Sequence, residues 1–150
     1  EVVVRGVFEN GQSDILRYWD LVDAVDGSEN QAVFTALLDS IRFEDDSGQY
    51  ESTYNALWAF PPRHFALWMV AALPTLLNRR GFENHAGAIL SSITTDSNAL
   101  VLRWFNHGLA LANPLHRASI MDFVERHLHE SWFEGSDGKI RPEFWAGVTA

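Results

Sequence analysis

The sequence predicts an all-α fold, and three observations lead to this expectation. Apolar residues recur at spacings of three and four over residues 13–132, which is the period of an amphipathic helix. Capping and breaking residues divide this stretch into segments of ordinary helix length. The β-branched run Val2-Val3-Val4 is one short segment and cannot form a sheet by itself. Because the chain has 150 residues and 47% of them are apolar, we expect one compact domain with a single core, or a short stack of helical repeats.

The first predicted pair of helices covers residues 13–25 and 28–42. Ser13 and Ser28 are placed to cap these helices, because a serine oxygen accepts the free N–H groups of a first turn. Asp26-Gly27 is a turn signal and separates the two helices.

The middle of the chain is predicted to hold a polar loop at 43–50, a helix at 51–60 and a helix that starts at 63. Pro61-Pro62 stops the first of these helices, because the residue before a proline is disfavoured in the α region. The next helix is apolar on nearly all sides, which predicts a buried central helix with a kink at Pro74. Arg79-Arg80-Gly81 is expected to end it, with the cations near its carbonyl end.

The rest of the chain is predicted to form helices 83–93, 97–111 and 114–132, and a short last helix at 141–148. Asn113 is expected to cap the third of these, with Pro114 at its first position. Residues 135–138 have turn composition. Phe144 and Trp145 are expected to be buried on the last helix.

A weak internal repeat appears when the chain is compared with itself at a shift of 32 residues. Tyr50-Glu51 then falls on Phe82-Glu83, and Leu73 falls on Phe105. Antiparallel helix pairs repeated at about 30 to 45 residues are typical of an α-solenoid. The sequence therefore predicts a HEAT-like α-solenoid or an irregular helical bundle. We expect one domain over 1–150, with an extended arm at 1–12, a helical body at 13–132 and a C-terminal turn and short helix at 133–150.

Candidate catalytic and metal-binding patterns are poor. His127 and His129 are two residues apart on a predicted helix, so they do not share a face as metal ligands would. Asp45 and Asp46 are adjacent in a polar loop, where the burial that tunes a catalytic carboxyl is not expected. The sequence contains neither a nucleophile elbow nor a phosphate-binding glycine loop. We therefore expect no enzymatic activity, no metal and no cofactor.

The charge of the chain is concentrated in one third of its length. The formal net charge is −9, and residues 9–51 hold eleven acidic and two basic residues, which accounts for all of it. An acidic protein of this kind is not expected to bind nucleic acid. No apolar run approaches the roughly 20 residues of a membrane-spanning helix, so no membrane contact is expected either.

Aromatic residues lie within and directly after this acidic third. Aromatic side chains surrounded by charge are typical of protein-binding hot spots. The predicted partner-binding residues are Glu44, Asp45, Asp46, Tyr50, Glu51, Tyr54 and Trp58. The alternative, in which the aromatic residues belong to the core of their helices, stays open.

The acidic loop and the aromatic helix after it, FEDDSGQYESTYNALWAFPP at 43–62, resemble the immunity proteins that bacteria produce together with polymorphic toxins. The resemblance implies a non-enzymatic protein that neutralises a cognate toxin, often a basic nuclease, by covering it with an acidic surface. Electrostatic complementarity would speed the encounter, and buried aromatic residues would hold the complex. We expect a cytoplasmic location, with a periplasmic one left open, and the oligomeric state is not predicted.

Two alternatives remain open at this stage. The first is a solenoid adaptor or assembly subunit that holds a peptide or a partner protein. The second is a small-ligand-binding or enzymatic helical domain with a pocket among its aromatic residues and Arg63, His64, Arg103 or His107.

Overall fold

A computed structural model of the protein describes residues 20–41, 51–130, 133 and 135–146. Within these ranges the regular elements are helices and no strand occurs, so the predicted all-α fold is confirmed for this part of the chain. The predicted extended arm at 1–12, most of the first predicted helix and the loop at 43–50 lie outside the described residues. No helix in the described ranges combines the length and the apolar character needed to cross a membrane.

The helices are α1 (Gln31–Asp39), α2 (Glu51–Trp58), α3 (Pro62–Leu76), α4 (Glu83–Ile93), α5 (Ala99–Leu111) and α6 (Pro114–His127). Residues 20–23 are also helical, and a 3₁₀ turn at Asp96–Asn98 precedes α5. The bounds of α4 agree with the sequence prediction. The predicted start of α6 is confirmed, because the Asn113 side chain accepts the His116 backbone N–H at 2.9 Å and Pro114 follows it.

The predicted cap of α1 is wrong by two residues. Asn30, and not Ser28, caps this helix, and its side-chain oxygen accepts the Val33 N–H at 3.2 Å. Ser28 instead donates its backbone N–H to the Asp26 carboxylate at 2.9 Å. The Glu29 carboxylate accepts the Gly27 N–H at 2.9 Å. The N–H groups of Gly27 and Ser28 therefore bond to nearby carboxylates. These local bonds stabilise a turn, and the helix begins only after Asn30.

The predicted end of α3 is also corrected. The helix ends at Leu76, before Arg79-Arg80-Gly81, and Pro74 lies inside it. Gly81 adopts the left-handed conformation that the sequence predicts for it, with φ of 85°, but within the turn that leads to α4. Residues 77–81 therefore form a connection of their own rather than a last helical turn.

Helices α1 and α3 lie side by side and point in the same direction. Phe34 in α1 contacts Phe65 near the start of α3, with 5.7 Å between ring centroids. Asp39, at the end of α1, forms an ion pair of 3.0 Å with Arg79, just beyond the end of α3. The Arg79 guanidinium also donates to the backbone carbonyls of Asp39 and Ile41, at 3.3 and 3.1 Å. Arg79 was predicted to cap its own helix, and it caps the neighbouring one.

Helices α3 and α5 form the most extensive helix contact of the described chain. The Arg63 guanidinium, at the start of α3, lies 5.2 Å from the centre of the Trp104 ring. Further along both helices Gly108 faces Leu67 and Val70, and a Cβ atom on Gly108 would lie 3.0 Å from the Leu67 side chain. The contacts advance in the same order along both helices, which shows that α5 is parallel to α3. Gly108 permits this close approach because it has no side chain.

A second set of helices contains α2 and α4. Tyr54 in α2 forms a hydrogen bond with His85 in α4, 31 residues further along the chain. Trp58, one turn later in α2, lines the same depression as Ile89 and Ser92 in α4. The first five helices thus alternate between two sets, α1, α3 and α5 in one and α2 and α4 in the other, while α6 packs on α3. This order is compatible with stacked helix pairs, and the narrower HEAT-like class stays a prediction.

The prediction of a last helix at 141–148 is wrong over its described part, residues 141–146. Residues 141–145 have no helical structure. Phe144, expected to be buried, is 67% exposed, and Trp145 is half-buried. The segment lies on α5, where the Trp145 N–H donates to His107 Nδ1 at 3.0 Å and Asn106 bonds to its backbone. These contacts to residues far away in sequence fix a non-helical conformation, and they give the backbone hydrogen-bond partners without a helix.

Candidate functional site

The structure describes three of the seven predicted partner-binding residues. Glu44, Asp45, Asp46 and Tyr50 lie outside the described residues. Glu51, Tyr54 and Trp58 lie in α2 at positions i, i+3 and i+7, which places them along one face of the helix. Glu51 is exposed, whereas Tyr54 and Trp58 are half-buried.

The two aromatic residues of this face are held in place by the helices behind them. The Trp58 ring stacks on the Phe65 ring, with 4.1 Å between centroids and 19° between planes. The Tyr54 hydroxyl bonds to His85 Nδ1. Between these side chains and α4 lies a shallow depression of about 170 Å³, which Ile89 also lines. Tyr54 and Trp58 therefore contribute both to the packing of the domain and to its surface.

The acidic residues before α1 divide into two groups. Asp20 and Asp23 are exposed on the helical segment at 20–23. Asp26 and Glu29 accept hydrogen bonds within the turn that follows it. The Ser28 hydroxyl and N–H both donate to Asp26, and they lower the pKa of that carboxyl below its ordinary value of 3.8. Asp26 and Glu29 thus stabilise the turn, whereas Asp20 and Asp23 face solvent.

Several arginines of the described chain have partners within the domain. Arg79 binds the end of α1, as described above. Arg117 donates to three carbonyls at the end of α5, with 2.9 to 3.0 Å between the atoms. Arg126 pairs with Asp122 at 3.1 Å, and Arg141 pairs with Glu143 at 3.0 Å. These cations are held by local carboxylates and carbonyls.

A cluster of cations and indole rings, which the sequence did not predict as a unit, lies on α5. The Arg103 guanidinium lies 4.2 Å from the centre of the Trp145 ring. Trp145 meets Trp104 edge to face, at 5.1 Å, and Arg63 lies over Trp104. We call these four residues the Arg–Trp cluster. The sequence named Arg63 and Arg103 as pocket candidates, and Trp104, between them, is partly buried against the core.

A cavity of about 390 Å³ adjoins the Arg–Trp cluster. Its lining comes from α5 and the C-terminal segment: Arg103, Asn106, Glu143, Phe144, Trp145 and Ala146. Asn106 fixes the segment, since its amide donates to the Lys139 carbonyl at 2.8 Å and its side-chain oxygen accepts the Arg141 N–H at 3.1 Å. The Glu143 N–H donates to the Asn106 carbonyl at 3.1 Å. The cavity wall is thus held by four backbone contacts, the three of Asn106 and the Trp145 contact to His107.

The histidines of the described chain do not converge on a metal. His127 lies 2.7 Å from the Glu130 carboxylate, and His64 stacks on Trp68 with 4.5 Å between ring centroids. His85 bonds to Tyr54, and His107 accepts the Trp145 N–H. In the parts of the chain that the structure describes, no three histidine or carboxylate groups lie close enough together to bind a metal ion.

Comparisons with protein-family models, with curated proteins and with solved structures find no match to this chain.

Proposed function

We propose that this chain is a non-enzymatic immunity protein that binds and neutralises a cognate toxin domain, a basic nuclease, through its acidic surface. The observation that carries the proposal is the alignment of Glu51, Tyr54 and Trp58 along one face of α2. A charged residue at the exposed edge and two half-buried aromatic rings beside it form the pattern of a binding hot spot with a polar rim.

The distribution of charge supports a basic partner. The net charge is −9, and the acidic third supplies it. Asp20, Asp23 and Glu51 are exposed, and no cation within the described ranges forms an ion pair with them. A negative surface of this kind speeds the encounter with a positively charged protein, because complementary potentials steer diffusion.

The aromatic residues support a tight complex once the encounter has occurred. Trp58 is fixed by its stacking on Phe65, and Tyr54 by its bond to His85. A side chain that is already ordered loses little conformational entropy when a partner covers it. Trp58 and Tyr54 are therefore suited to act as preorganised contacts rather than as flexible ones.

The resemblance of residues 43–62 to immunity proteins gives the proposal its biological class. A nuclease toxin damages nucleic acid inside the cell, so the proposal places the protein in the cytoplasm. It also predicts that the neighbouring gene encodes a large secreted protein whose C-terminal domain is the toxin.

The proposal is tested by producing that C-terminal domain with and without this chain in the same cells. We expect growth arrest with the domain alone and normal growth when this chain is present. The two purified proteins should associate more slowly as salt rises, since exposed charges act mainly on the association rate.

Variants assign the interface. The double change Asp45→Asn and Asp46→Asn should slow association and flatten its dependence on salt. Trp58→Leu should raise the dissociation rate by roughly tenfold or more, as expected for a hot-spot residue. Glu125→Gln, an exposed change on α6, is the matched control and should leave both rates unchanged. Growth arrest that persists in the presence of the folded chain, or binding that is insensitive to salt and to the Asp45 and Asp46 changes, would contradict the proposal.

A further inference from the structure

We propose that the cavity of about 390 Å³ beside the Arg–Trp cluster is a binding site for a small organic anion, a carboxylate or phosphate group attached to a flat ring. The proposal goes beyond toxin binding, and the site shares no residue with the acidic surface. It rests on three features: a guanidinium held over an indole ring, a cavity of ligand size, and a wall fixed by hydrogen bonds.

The guanidinium of Arg103 is the anion-binding group. It lies over the Trp145 ring, 4.2 Å from the ring centre, and this cation–π contact restricts its motion. The N–H donors of a guanidinium lie in its plane and stay available when its face is covered. Their fork matches the oxygens of a carboxylate or a phosphate. Arg63 places a second cation on Trp104, the indole that contacts Trp145.

The carboxylate in the cavity wall, that of Glu143, already has a partner. Glu143 pairs with Arg141 at 3.0 Å. In the described parts of the chain no carboxylate lies within ion-pair distance of Arg103. Arg103 thus has no carboxylate partner among the described residues, and in a chain whose net charge is −9 it is a local positive charge that attracts a small anion.

The other walls favour a flat apolar group. Trp145 and Phe144 supply aromatic surface, and Phe144 is 67% exposed. The volume falls in the range of roughly 300 to 1,000 Å³ that small-molecule sites occupy. Asn106 uses its amide on the backbone of the C-terminal segment, so the wall is formed before a ligand arrives. A preformed site loses less free energy to ordering when it binds.

The test uses three probes of similar size on the whole chain: phenylphosphate, phenylacetate and the neutral benzyl alcohol. Binding is measured by calorimetry and by the fluorescence change of the indoles. We expect saturable binding of at least one of the two anions, with Kd of about 1 mM or tighter for molecules of this size. The two anions distinguish a phosphate ligand from a carboxylate ligand.

Two arginine variants provide the comparison. Arg103→Gln should weaken binding of the preferred anion by about 10- to 100-fold, since it removes a charged hydrogen-bond donor. Arg126→Gln is the matched control, because Arg126 also lies over an aromatic ring, that of Phe123 at 5.9 Å, and it should bind the anion as the unchanged chain does. Arg103→Lys keeps the charge and loses the fork, and it should give an intermediate affinity. Circular dichroism checks that each variant is folded.

Three results would overturn the proposal. The first is the absence of saturable binding by both anions. The second is equal affinity for benzyl alcohol, which would show that the guanidinium takes no part. The third is undiminished binding by both Arg103 variants, or by the one that folds.

Discussion

Replacing Gly27 by alanine should destabilise the domain, because the new side chain would collide with the backbone of Ala59. Gly27 has φ of 91°, a conformation that L-amino acids rarely adopt. It also lies against the end of α2, where a Cβ atom would be 2.1 Å from the Ala59 carbonyl oxygen. The variant Gly27→Ala therefore combines backbone strain with a steric clash.

The magnitude follows from the two costs. An L-residue in the left-handed region costs about 1–2 kcal/mol. A carbon at 2.1 Å from a backbone oxygen must be relieved by moving the backbone, and overpacking of this kind costs about 1–3 kcal/mol. We expect a loss of about 2–5 kcal/mol in the free energy of unfolding, which corresponds to a fall in Tm of roughly 5–20 °C.

Gly135→Ala is a matched control. Gly135 has φ of 84°, but, its chain neighbours aside, no atom of the described residues lies within 4 Å of the position that its Cβ would take. It therefore shares the backbone strain and the change in unfolded-state entropy with Gly27→Ala, and it lacks the clash. Urea denaturation of both variants should show Gly27→Ala to be less stable by about 1–3 kcal/mol. Equal destabilisation of the two variants would refute the reasoning, because the contact with Ala59 would then cost nothing.

Three further outcomes are expected. Ser28→Ala should raise the pKa of Asp26 toward its ordinary value, as followed by NMR titration of the carboxyl carbon. Because the pKa of Asp26 is lowered in the folded chain, its carboxylate stabilises the fold above pH 3.8, and this stabilisation is lost as the pH falls through the folded pKa. An unchanged pKa in Ser28→Ala would show that Ser28 does not cause the shift. Arg79→Ala should lower the free energy of unfolding by about 1–2 kcal/mol, measured by urea denaturation, since it removes the cap of α1. Arg80→Ala changes an exposed neighbour and should alter that free energy by no more than about 0.5 kcal/mol. Equal effects of the two variants would contradict the capping role of Arg79. Asn106→Ala should cost about 1–3 kcal/mol and speed chymotryptic cleavage in the C-terminal segment, and unchanged cleavage would show that Asn106 does not hold this segment.

Local signals in the sequence were sufficient for most of the helical architecture. Asn113-Pro114 specifies a helix start within a few residues, and the structure has it there. Ser28 shows the limit of such signals, because Ser28 and Asn30 both have the chemistry of a cap. Ser28 bonds to the Asp26 carboxylate, and Asn30 therefore caps the helix. The outcome depends on hydrogen bonds between neighbouring residues, which the helical pattern does not show.

The C-terminal segment could not be predicted from local pattern. Its periodicity at 141–148 is compatible with a helix, but its conformation is fixed by Asn106 and His107, more than 30 residues earlier. The Arg–Trp cluster was missed for the same reason, because Trp104 and Trp145 meet only when this segment lies on α5. On α2, by contrast, the helical spacing of Glu51, Tyr54 and Trp58 was visible in the sequence, since residues on one helix face follow from the period alone.

The contact of Arg79 with the end of α1 has a consequence for how the domain opens. The ion pair with Asp39 and the hydrogen bonds to backbone carbonyls join the end of α1 to Arg79, about 40 residues later in the chain. If α1 separates from α3, these charge-assisted bonds are lost together with the apolar contacts of Phe34. Backbone amides of α1 should therefore exchange with solvent through the same cooperative opening as those of α3, rather than fray independently. The Arg79 guanidinium, together with the Phe34 packing, thus makes α1 and α3 parts of one unfolding unit.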